Sequence, residues 1–297
     1  MEIIILKNFL IVLNYNDAET TLEFVEMAKM CNAIDKIVVV DNCSTDYSLS
    51  KLTCLKSDKI DVIQTDKNGG YAYGNNFGCR YAEKNYNPKL FFISNPDVRF
   101  ENPVLQEMDK LSNNHKDIGV VAPIVNQGYN IWNLPKFWGL IESIFLIWFN
   151  LDKRKIKRKM LSSKNHFETV GVVEGSFFAI SREAYDKIDG FDEKTFLYCE
   201  ENILARRLLR NGYKEAVLPK CRYDHFHSVS IKKHYGGKVK AFKNFHKSML
   251  IYLQDYLDGG IVERIIFEIC FGLGYIERYM YDCLLYTSPS PRDRQKS

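Results

Sequence analysis

Four clusters of polar residues, each directly after a short apolar run, are the part of this sequence best suited to chemistry. The clusters occupy residues 14–17, 41–46, 68–76 and 94–97. The carboxyl ends of parallel strands meet at one edge of a sheet, where open α/β sheets bind ligands, so we expect the clusters to converge. They offer acceptors for a base and a ribose, small residues for close backbone approach, and a carboxylate. Together they predict a nucleoside-diphosphate site.

Asp97 is the carboxylate best suited to a metal. It follows the apolar run 90–93 and Pro96, which ends the strand because proline cannot donate to a sheet. A carboxylate beside Ser94 and Asn95 suits a hard divalent cation, Mg²⁺ or Mn²⁺, that carries phosphate. An Asn-Pro-Asp turn after a strand is also a common structural feature without function, and this stretch alone does not separate the two interpretations.

Composition argues against several other classes of protein. The chain has 297 residues and a formal charge of +4, and its basic residues form no groove-lining stripe, so we expect no nucleic-acid partner. The eight cysteines show no Cys-x-x-Cys spacing, which argues against a zinc ribbon and favours a reduced, cytoplasmic setting. The sequence contains neither Gly-x-Gly-x-x-Gly nor Gly-Lys-Ser/Thr, so neither a dinucleotide fold nor a P-loop is supported.

The order of predicted elements indicates an α/β fold. Apolar runs predict strands at residues 9–13, 37–40, 60–63 and 90–93. Helical segments alternate with them, including residues 20–31, which argues for a mostly parallel central sheet covered by helices on both faces. The pattern is lost after about residue 125, and it resumes with residues 171–181 and a helix over 200–211.

Two segments outside this pattern suit a membrane surface. We treat residues 137–160 as an insertion, apolar over 137–151 and with six basic residues in 153–159. The apolar part is too short to span a bilayer, but an apolar and basic pair of segments fits an anionic membrane surface. The alternative is a core helix followed by a solvated basic loop. Residues 236–282 are predicted to form a helical extension, broken at 259–260, whose apolar stripe is either packing surface or a second membrane-facing element.

The last residues, 283–297, are expected to carry no function. Their sequence resembles the translation of a sequencing adapter, or else it is an ordinary Ser/Pro-rich disordered tail. On the first interpretation the tail is non-native, the natural sequence stops near Asp282 and the true C-terminus is missing.

Six stretches together resemble one enzyme family. They are residues 38–46, 68–76, 94–98, 174–182, 190–193 and 196–201. In this order they are similar to family 2 glycosyltransferases of the GT-A type, in the rhamnosyltransferase-like branch. The resemblance covers about residues 8–235. It implies a GT-A, Rossmann-like domain with a mostly parallel sheet, followed here by the helical extension.

The resemblance also implies roles for individual positions. The residues it places around the nucleotide and donor are Asn14, Asp41, Gly69, Gly70, Asn75 and Asn95. Of these, Asp41 would accept a hydrogen bond from the base. Asp97 would hold the metal that bridges the diphosphate. The residues implied to line the sugar and acceptor pocket are Glu174, Gly175 and Ser176.

The candidate catalytic residues are Glu201 and Glu200. Glu201 matches the aspartate of the family's Glu-Asp pair, which acts as general base on the acceptor hydroxyl. An inverting transfer needs a base on the face of the sugar opposite the leaving diphosphate. Two close carboxylates raise each other's proton affinity, but adjacent helix residues do not face each other, so we expect Glu201 alone to point inward. The alternative is that both acids only stabilise a helix N-terminus.

A histidine pair is expected near the metal. His225 and His227 would share one face of an extended segment, and either can add a ligand or contact the diphosphate. His225 is our first choice. Many proteins of the wider fold carry Asp-x-Asp where this chain has Asn95, Pro96 and Asp97, so we expect a lower metal affinity.

The expected function is an inverting glycosyltransferase at the cytoplasmic face of the cell membrane. It would move a sugar from a UDP- or dTDP-sugar to a glycan or lipid-linked glycan during surface polysaccharide synthesis. One alternative, a nucleotide-sugar-binding protein without transfer activity, would need neither Glu174 nor Glu201. A second, a nucleotidyltransferase, would need a basic, Gly-rich loop after the first strand, where the chain has residues 14–17 instead.

Overall fold

The computed structural model describes residues 7–126, 130–146, 162–226 and 238–287, and it confirms the α/β class. The strands are β1 Asn8–Asn14, β2 Lys36–Asp41, β3 Ile60–Gln64, β4 Leu90–Ser94, β5 Val98–Arg99, β6 Ile118–Val125, β7 Ile131–Trp132, β8 Glu168–Val170, β9 Val172–Val173, β10 Phe177–Ser181 and β11 Lys214–His225. The helices are α1 Ala18–Ala28, α2 Ser48–Leu52, α3 Tyr71–Asn85, α4 Asn102–Asn114, α5 Phe137–Ile144, α6 Arg182–Lys187, α7 Glu200–Arg210, α8 Lys238–Ile251 and α9 Ile261–Thr287. Short helical turns follow α2 over Thr53–Leu55 and α8 over Tyr252–Tyr256.

One mostly parallel sheet organises the molecule. Its order is β3-β2-β1-β4-β10-β6-β11-β5, and β8 pairs with β11. The strands β3, β2, β1 and β4 are parallel, β10 is antiparallel to both of its neighbours, and β6 and β11 are parallel to each other. The polar clusters that follow β1, β2 and β4 therefore lie at the same edge.

The apolar runs of the sequence are continuous because both faces of the sheet are covered. In β1, Leu10 and Val12 pack into one hydrophobic core, while Phe9 and Ile11 pack into the other. All four side chains are fully buried. This arrangement is typical of parallel sheets between two helical layers.

Two long strands in the second half of the sheet, β6 and β11, were not predicted from the sequence. Strand β6 contains Pro123, which argues against a central strand because proline cannot donate to a ladder. In the structure, Pro123 pairs with Leu218 of β11, and the register of β11 shifts between Leu218 and Arg222. The irregular pairing lies beside the proline. The segment predicted at 171–181 is also divided, into β9 and β10.

The helical extension packs on the sheet domain through a third core. Its members come from α5, α7, α8, the turn after α8, and α9. In α5, Leu140 and Ile144 are buried in this core, so the described part of the insertion packs as a core helix, while Trp138 is 65% exposed. The extension is broken before Ile261, as predicted. Within the described ranges, no helix combines the length and apolar character needed to cross a bilayer.

Several expectations fall on residues outside the described ranges. They concern the basic run 153–159, His227 and residues 288–297. The division of the chain into a domain over 8–235 and an extension over 236–282 stays a prediction.

Candidate active site

The strand ends converge at the carboxyl edge of the sheet, as the sequence predicts. Asn14, at the end of β1, donates from Nδ2 to Asp41 Oδ1 at the end of β2, over 2.8 Å. Asn42, the next residue, donates to the carbonyl of Gly70 over 3.2 Å. After β4, the amide of Asn95 donates to the carbonyl of Ser176 over 2.9 Å. The first three clusters are therefore hydrogen-bonded to one another, and the fourth is joined to Ser176.

Asp41 is fully buried, and its carboxylate is saturated with hydrogen bonds from the protein. Besides Asn14, Ser44 donates its hydroxyl over 2.6 Å and its amide over 3.1 Å, and Gln64 donates its side-chain amide over 3.2 Å. Four donors occupy the four acceptor positions of a carboxylate. Through these hydrogen bonds, Asp41 holds the carboxyl ends of β1 and β2 together. Its direct contact with a base would require it to exchange one of these partners, and that role stays a prediction.

The Gly69-Gly70 turn lies against the segment that precedes Glu200 and Glu201. Gly70 has φ +91° and ψ −171°, a conformation that is essentially restricted to glycine. A Cβ at Gly70 would lie 2.2 Å from the carbonyl oxygen of Phe196. The amide of Tyr71 donates to that same carbonyl over 3.2 Å. Glycine is thus required here both for its backbone angle and for the close approach of two loops.

Asn75, in the first turns of α3, is buried. Its Nδ2 donates to the carbonyl of Tyr71 in the same helix, and its Oδ1 has no hydrogen-bond partner among the described residues. Its predicted place near the donor is not tested by these contacts. The neighbouring Asn76 instead joins α3 to the loop at Phe191 and Glu193 through hydrogen bonds.

The pocket segment, residues 173–176, is held at every residue. The amide of Val173 donates to Glu215 Oε2 over 2.6 Å, and the amide of Gly175 donates to Glu201 Oε1 over 3.2 Å. Between them, the amide of Glu174 donates to the carbonyl of Asn130 over 2.9 Å. Two of these three acceptors are glutamate side chains.

The other side of the pocket segment is fixed by two tyrosines. The hydroxyl of Tyr71 donates to the carbonyl of Gly175, and burial together with the charge of Glu201 raises the pKa of Tyr71 well above its usual value. Tyr71 therefore stays a neutral donor. The hydroxyls of Ser176 and Tyr223 are hydrogen-bonded to each other over 2.8 Å. The predicted residues Glu174, Gly175 and Ser176 form the turn between β9 and β10, and hydrogen bonds hold each of them.

Glu200 and Glu201 begin α7, after an unusual backbone turn. Tyr198 and Cys199 both have positive φ, 74° and 65°, which is uncommon for residues other than glycine. Glu201 contacts the pocket segment through the amide of Gly175, and Glu200 Oε2 is also buried, so the prediction that Glu201 alone acts as base stays a prediction. Burial and the charge of Glu201 raise the pKa of Glu200 well above its usual value, and burial raises that of Glu201, although amide donors oppose the change. The pair therefore binds a proton more strongly than an exposed glutamate does.

Asp97 and His225 are brought together at the candidate metal site. Asp97 Oδ1 lies 3.4 Å from His225 Nε2, and Glu174 Oε1 lies 3.7 Å from His225 Nδ1. Burial of the imidazole opposes protonation, but the hydrogen bond to Asp97 and the charges of Asp97 and Glu174 outweigh it and raise the pKa of His225. Pairing of β11 with β5 places His225 beside Val98, next to Asp97 in the chain.

A carboxylate and an imidazole at this spacing suit two positions of one divalent ion. Among the described residues, no group of three or more Asp, Glu, His or Cys side chains could hold a metal ion. The set therefore fits an ion that takes its remaining ligands from phosphate and water, as Mg²⁺ commonly does.

Sequence reasoning missed four residues that build the site. They are Tyr71, Asn130, Glu215 and Tyr223. Tyr71 lies inside a recognised stretch, so its place after Gly70 was a usable signal. Glu215 and Tyr223 lie on β11, which was not predicted, and Asn130 acts through its carbonyl. No local pattern marks those three.

Comparison with known proteins agrees with this geometry. A sequence model of the family described as "Glycosyl transferase family 2" matches residues 9–189. The chain is 25% identical over 229 residues to rhamnosyltransferase WbbL of Escherichia coli, covering 73% of this chain and 81% of that protein. It is 31% identical over 90 residues to an N-acetylglucosaminyl-diphospho-decaprenol L-rhamnosyltransferase of Mycobacterium tuberculosis, covering 30% of this chain and 28% of that protein.

A solved structure shows the same fold. It is the mannosyltransferase PcManGT of Pyrobaculum calidifontis, in complex with GDP-Man and Mn²⁺, with a TM-score of 0.60 and 13% identity over 97% of this chain and 78% of that chain. The fold predicted by the resemblance is confirmed. Since the family's sequence model spans more than half of the residues, the chain belongs to glycosyl transferase family 2 and is a glycosyltransferase with the GT-A fold.

Proposed function

We propose that this glycosyltransferase inverts the configuration of a sugar that it takes from a UDP- or dTDP-sugar and transfers to a hydroxyl of a surface glycan. The observation that carries the proposal is the position of Glu201. Its carboxylate rests on Gly175 of the pocket segment, while its helix begins beside the Gly69-Gly70 turn at the proposed nucleotide site. An inverting transfer requires a base on the face of the sugar opposite the leaving diphosphate, and Glu201, next to the proposed nucleotide site, is our candidate for that base.

In the proposed reaction, Glu201 takes the proton of the acceptor hydroxyl. The acceptor oxygen forms a bond to the anomeric carbon as the bond from that carbon to the diphosphate oxygen breaks, and the electron pair leaves with the diphosphate. The raised proton affinity of the Glu200-Glu201 pair suits this step, because a base whose pKa lies nearer neutrality accepts a proton more effectively. Tyr71, fixed on Gly175, holds the pocket segment in place during transfer.

Asp97 and His225 would hold a divalent cation, Mg²⁺ or Mn²⁺, against the diphosphate. Such an ion would neutralise the charge that develops on the leaving group. The spacing of the two side chains supports this assignment, as does the Mn²⁺ in the complex of the mannosyltransferase neighbour. The nearest additional carboxylate, Glu174, already lies on the far side of the imidazole.

We also propose that the acceptor is lipid-linked and that the protein works at the inner face of the cell membrane. The name of the mycobacterial relative supports the first part, because it specifies N-acetylglucosaminyl-diphospho-decaprenol, a lipid-linked sugar. The second part is supported by α9, whose outward face is apolar. Its exposed members are Ile261, Val262, Ile265, Ile269, Leu273, Tyr275, Ile276, Tyr279 and Met280.

The test begins with a panel of nucleotide sugars, with and without Mn²⁺, scored by thermal stabilisation of the protein. With the donor so identified, we expect Glu201→Gln to lower kcat for transfer by about 10²–10⁴-fold while donor affinity stays within about twofold, because only the base is lost. The control is Glu19→Gln, at an exposed glutamate in the first turn of α1. Full transfer by Glu201→Gln would overturn the assignment of the base.

The same assays separate the alternatives. A protein that only binds nucleotide sugars would be stabilised by a donor but would release no nucleoside diphosphate with any acceptor. A nucleotidyltransferase would form a nucleotide sugar from a sugar phosphate and a nucleoside triphosphate, and membership of the glycosyltransferase family argues against that activity.

A further inference from the structure

Glu215 is a buried carboxyl group in the wall of the active site that the proposed reaction does not use. It lies near the start of β11 and is 3% exposed. Its neighbours across the sheet are apolar, Val120 in β6 and Val170 in β8. A carboxylate in such surroundings is costly unless it has a specific partner.

That partner is the backbone of the pocket segment. Glu215 Oε2 accepts the amide of Val173 over 2.6 Å, and Glu201 Oε1 accepts the amide of Gly175 over 3.2 Å. The two glutamates therefore hold the pocket segment at positions two residues apart. Removing Glu215 would free the pocket segment at its amino end, where it leaves β9. The amide of Gly175, which Glu201 accepts, would then be held less firmly.

Burial favours the protonated form of Glu215. It is the main cause that raises the pKa of Glu215 well above its usual value; the amide of Val173 opposes this rise, and the charge of Glu201 adds to it. Burial raises the pKa of Glu201 as well, and the amides of Glu201 and Gly175 oppose that change.

The neutral form also fits the contacts of Glu215 better. Its other oxygen, Oε1, has no hydrogen-bond partner among the described residues. A neutral carboxyl leaves one weakly polar atom unsatisfied, whereas an ionised group would leave half of a buried charge without compensation. The only charge that acts on it from an adjacent described element is that of Glu201 on α7.

We propose that Glu215 is a positioning residue of the transfer reaction: as a neutral acid it fixes the pocket segment on which Glu201 rests, and a charge on it at alkaline pH, buried between β6 and β8, disrupts that segment. The inference rests on the proposed role of Glu201 as base. It assigns Glu215 no contact with substrate. It predicts an alkaline decline in kcat that belongs to Glu215 and not to the base.

Two substitutions test the two halves of the proposal. Glu215→Gln keeps the size and an oxygen acceptor for Val173 but cannot ionise, so we expect kcat at neutral pH within about threefold of wild type and an alkaline decline that is lost or moved to higher pH. Glu215→Leu removes the acceptor, and we expect kcat to fall tenfold or more at every pH, with KM for the donor within about threefold. The matched control is Glu83→Gln, at a glutamate whose pKa burial raises to about 7 but which contacts Arg182 outside the site.

Each outcome decides the matter. An unchanged alkaline decline in Glu215→Gln, or wild-type kcat in Glu215→Leu, would overturn the proposal. If Glu215→Leu does not fold, the pH profile of Glu215→Gln alone still decides it. Glu201→Gln is measured in parallel: if it retains transfer, the base assignment fails, whereas an inactive Glu201→Gln beside unaffected Glu215 variants removes this inference and leaves the proposed function standing.

Discussion

At the scale of single residues, the Glu200-Glu201 pair shows a conflict between stability and chemistry. Both carboxyl groups are held where ionisation is difficult, and Glu200 Oε2 is buried without a hydrogen-bond partner among the described residues. A group whose pKa is higher in the folded protein than in the unfolded chain loses stabilising free energy as the unfolded form ionises first. The pair is therefore a cost to the fold at neutral pH.

This cost gives a prediction for Glu200→Gln. At about pH 3 or below, glutamates are protonated in both folded and unfolded chains, so the variant and the wild type should be equally stable. Above the unfolded pKa of about 4.3, the wild type loses stability until the folded pair ionises, and Glu200→Gln escapes part of that loss. We expect the variant to be more stable at pH 7 by on the order of 1 kcal/mol, measured by urea unfolding at both pH values.

The control for this measurement is Glu19→Gln, whose carboxylate lies on the surface beside Lys51. It should change the free energy of unfolding little at either pH. A Glu200→Gln variant that is less stable than wild type at pH 7 would show that the pair stabilises the fold in its ionised form.

At the scale of elements, the turn before α3 and the turn before α7 fit against each other. Gly70 and Phe196 are so close that no side chain can stand between them, and the amide of Tyr71 joins the two turns. The turn at Gly70 belongs to the proposed nucleotide site, and the turn at Phe196 leads to Glu200 and Glu201, the proposed catalytic residues. Their relative position therefore depends on one glycine.

Gly70→Ala should damage this junction. The backbone conformation alone costs a residue with a Cβ about 1–3 kcal/mol, and the close approach of Phe196 O adds to that cost. We expect a lower midpoint of thermal unfolding and at least tenfold weaker binding of the donor nucleotide, measured with UDP and dTDP.

Gly212→Ala is the matched control, because Gly212 also has a positive φ, of 84°, but an added Cβ there meets nothing within 4 Å. It should lower stability while nucleotide affinity stays near that of wild type. Equal nucleotide affinity in both variants would mean that the Gly70 junction does not shape the nucleotide site.

Local sequence patterns predict the first half of the sheet and fail for the second. Residues 9–13 and 37–40 are apolar because both faces are buried, and the polar residues after them, such as Asn14 and Asp41, meet because parallel strands end together. The pairing of β6 with β11 joins segments about a hundred residues apart across a register shift, and Pro123 obscures it. Glu215 was missed for the same reason: its function depends on a partner brought near only by that pairing.

At the scale of the whole molecule, α9 carries apolar residues on its exposed face as well as on the face that packs into the third core. Its exposed apolar residues are between 44% and 77% exposed. Three of its charged residues are engaged with the protein: Glu268 with His246, Glu277 with the amide of Leu146, and Arg278 with the carbonyl of Ile144. A surface helix normally turns its apolar side to the core, so this face is suited to a lipid surface.

The membrane prediction is tested by sedimentation with anionic vesicles. We expect the wild type to sediment with them at low salt and less at high salt, because screening weakens the electrostatic part of binding. A triple substitution of Ile265, Ile269 and Ile276 to serine should remain in the supernatant. The control is Met30→Ser, at a single exposed apolar residue on the sheet domain. Sedimentation of the triple variant with the vesicles, or none by the wild type, would contradict the prediction.

The helical extension also holds the loop that leads to Glu200 and Glu201. Ser248 of α8 donates to the carbonyl of Leu197, Asp255 is paired with Lys194, and the hydroxyl of Tyr256 is bonded to Asp192. A displacement of α8 must break these contacts or move the loop that ends at Glu200. Substitutions far from any substrate can therefore reduce turnover, and a survey of variants confined to the residues around the site would leave such changes unscored.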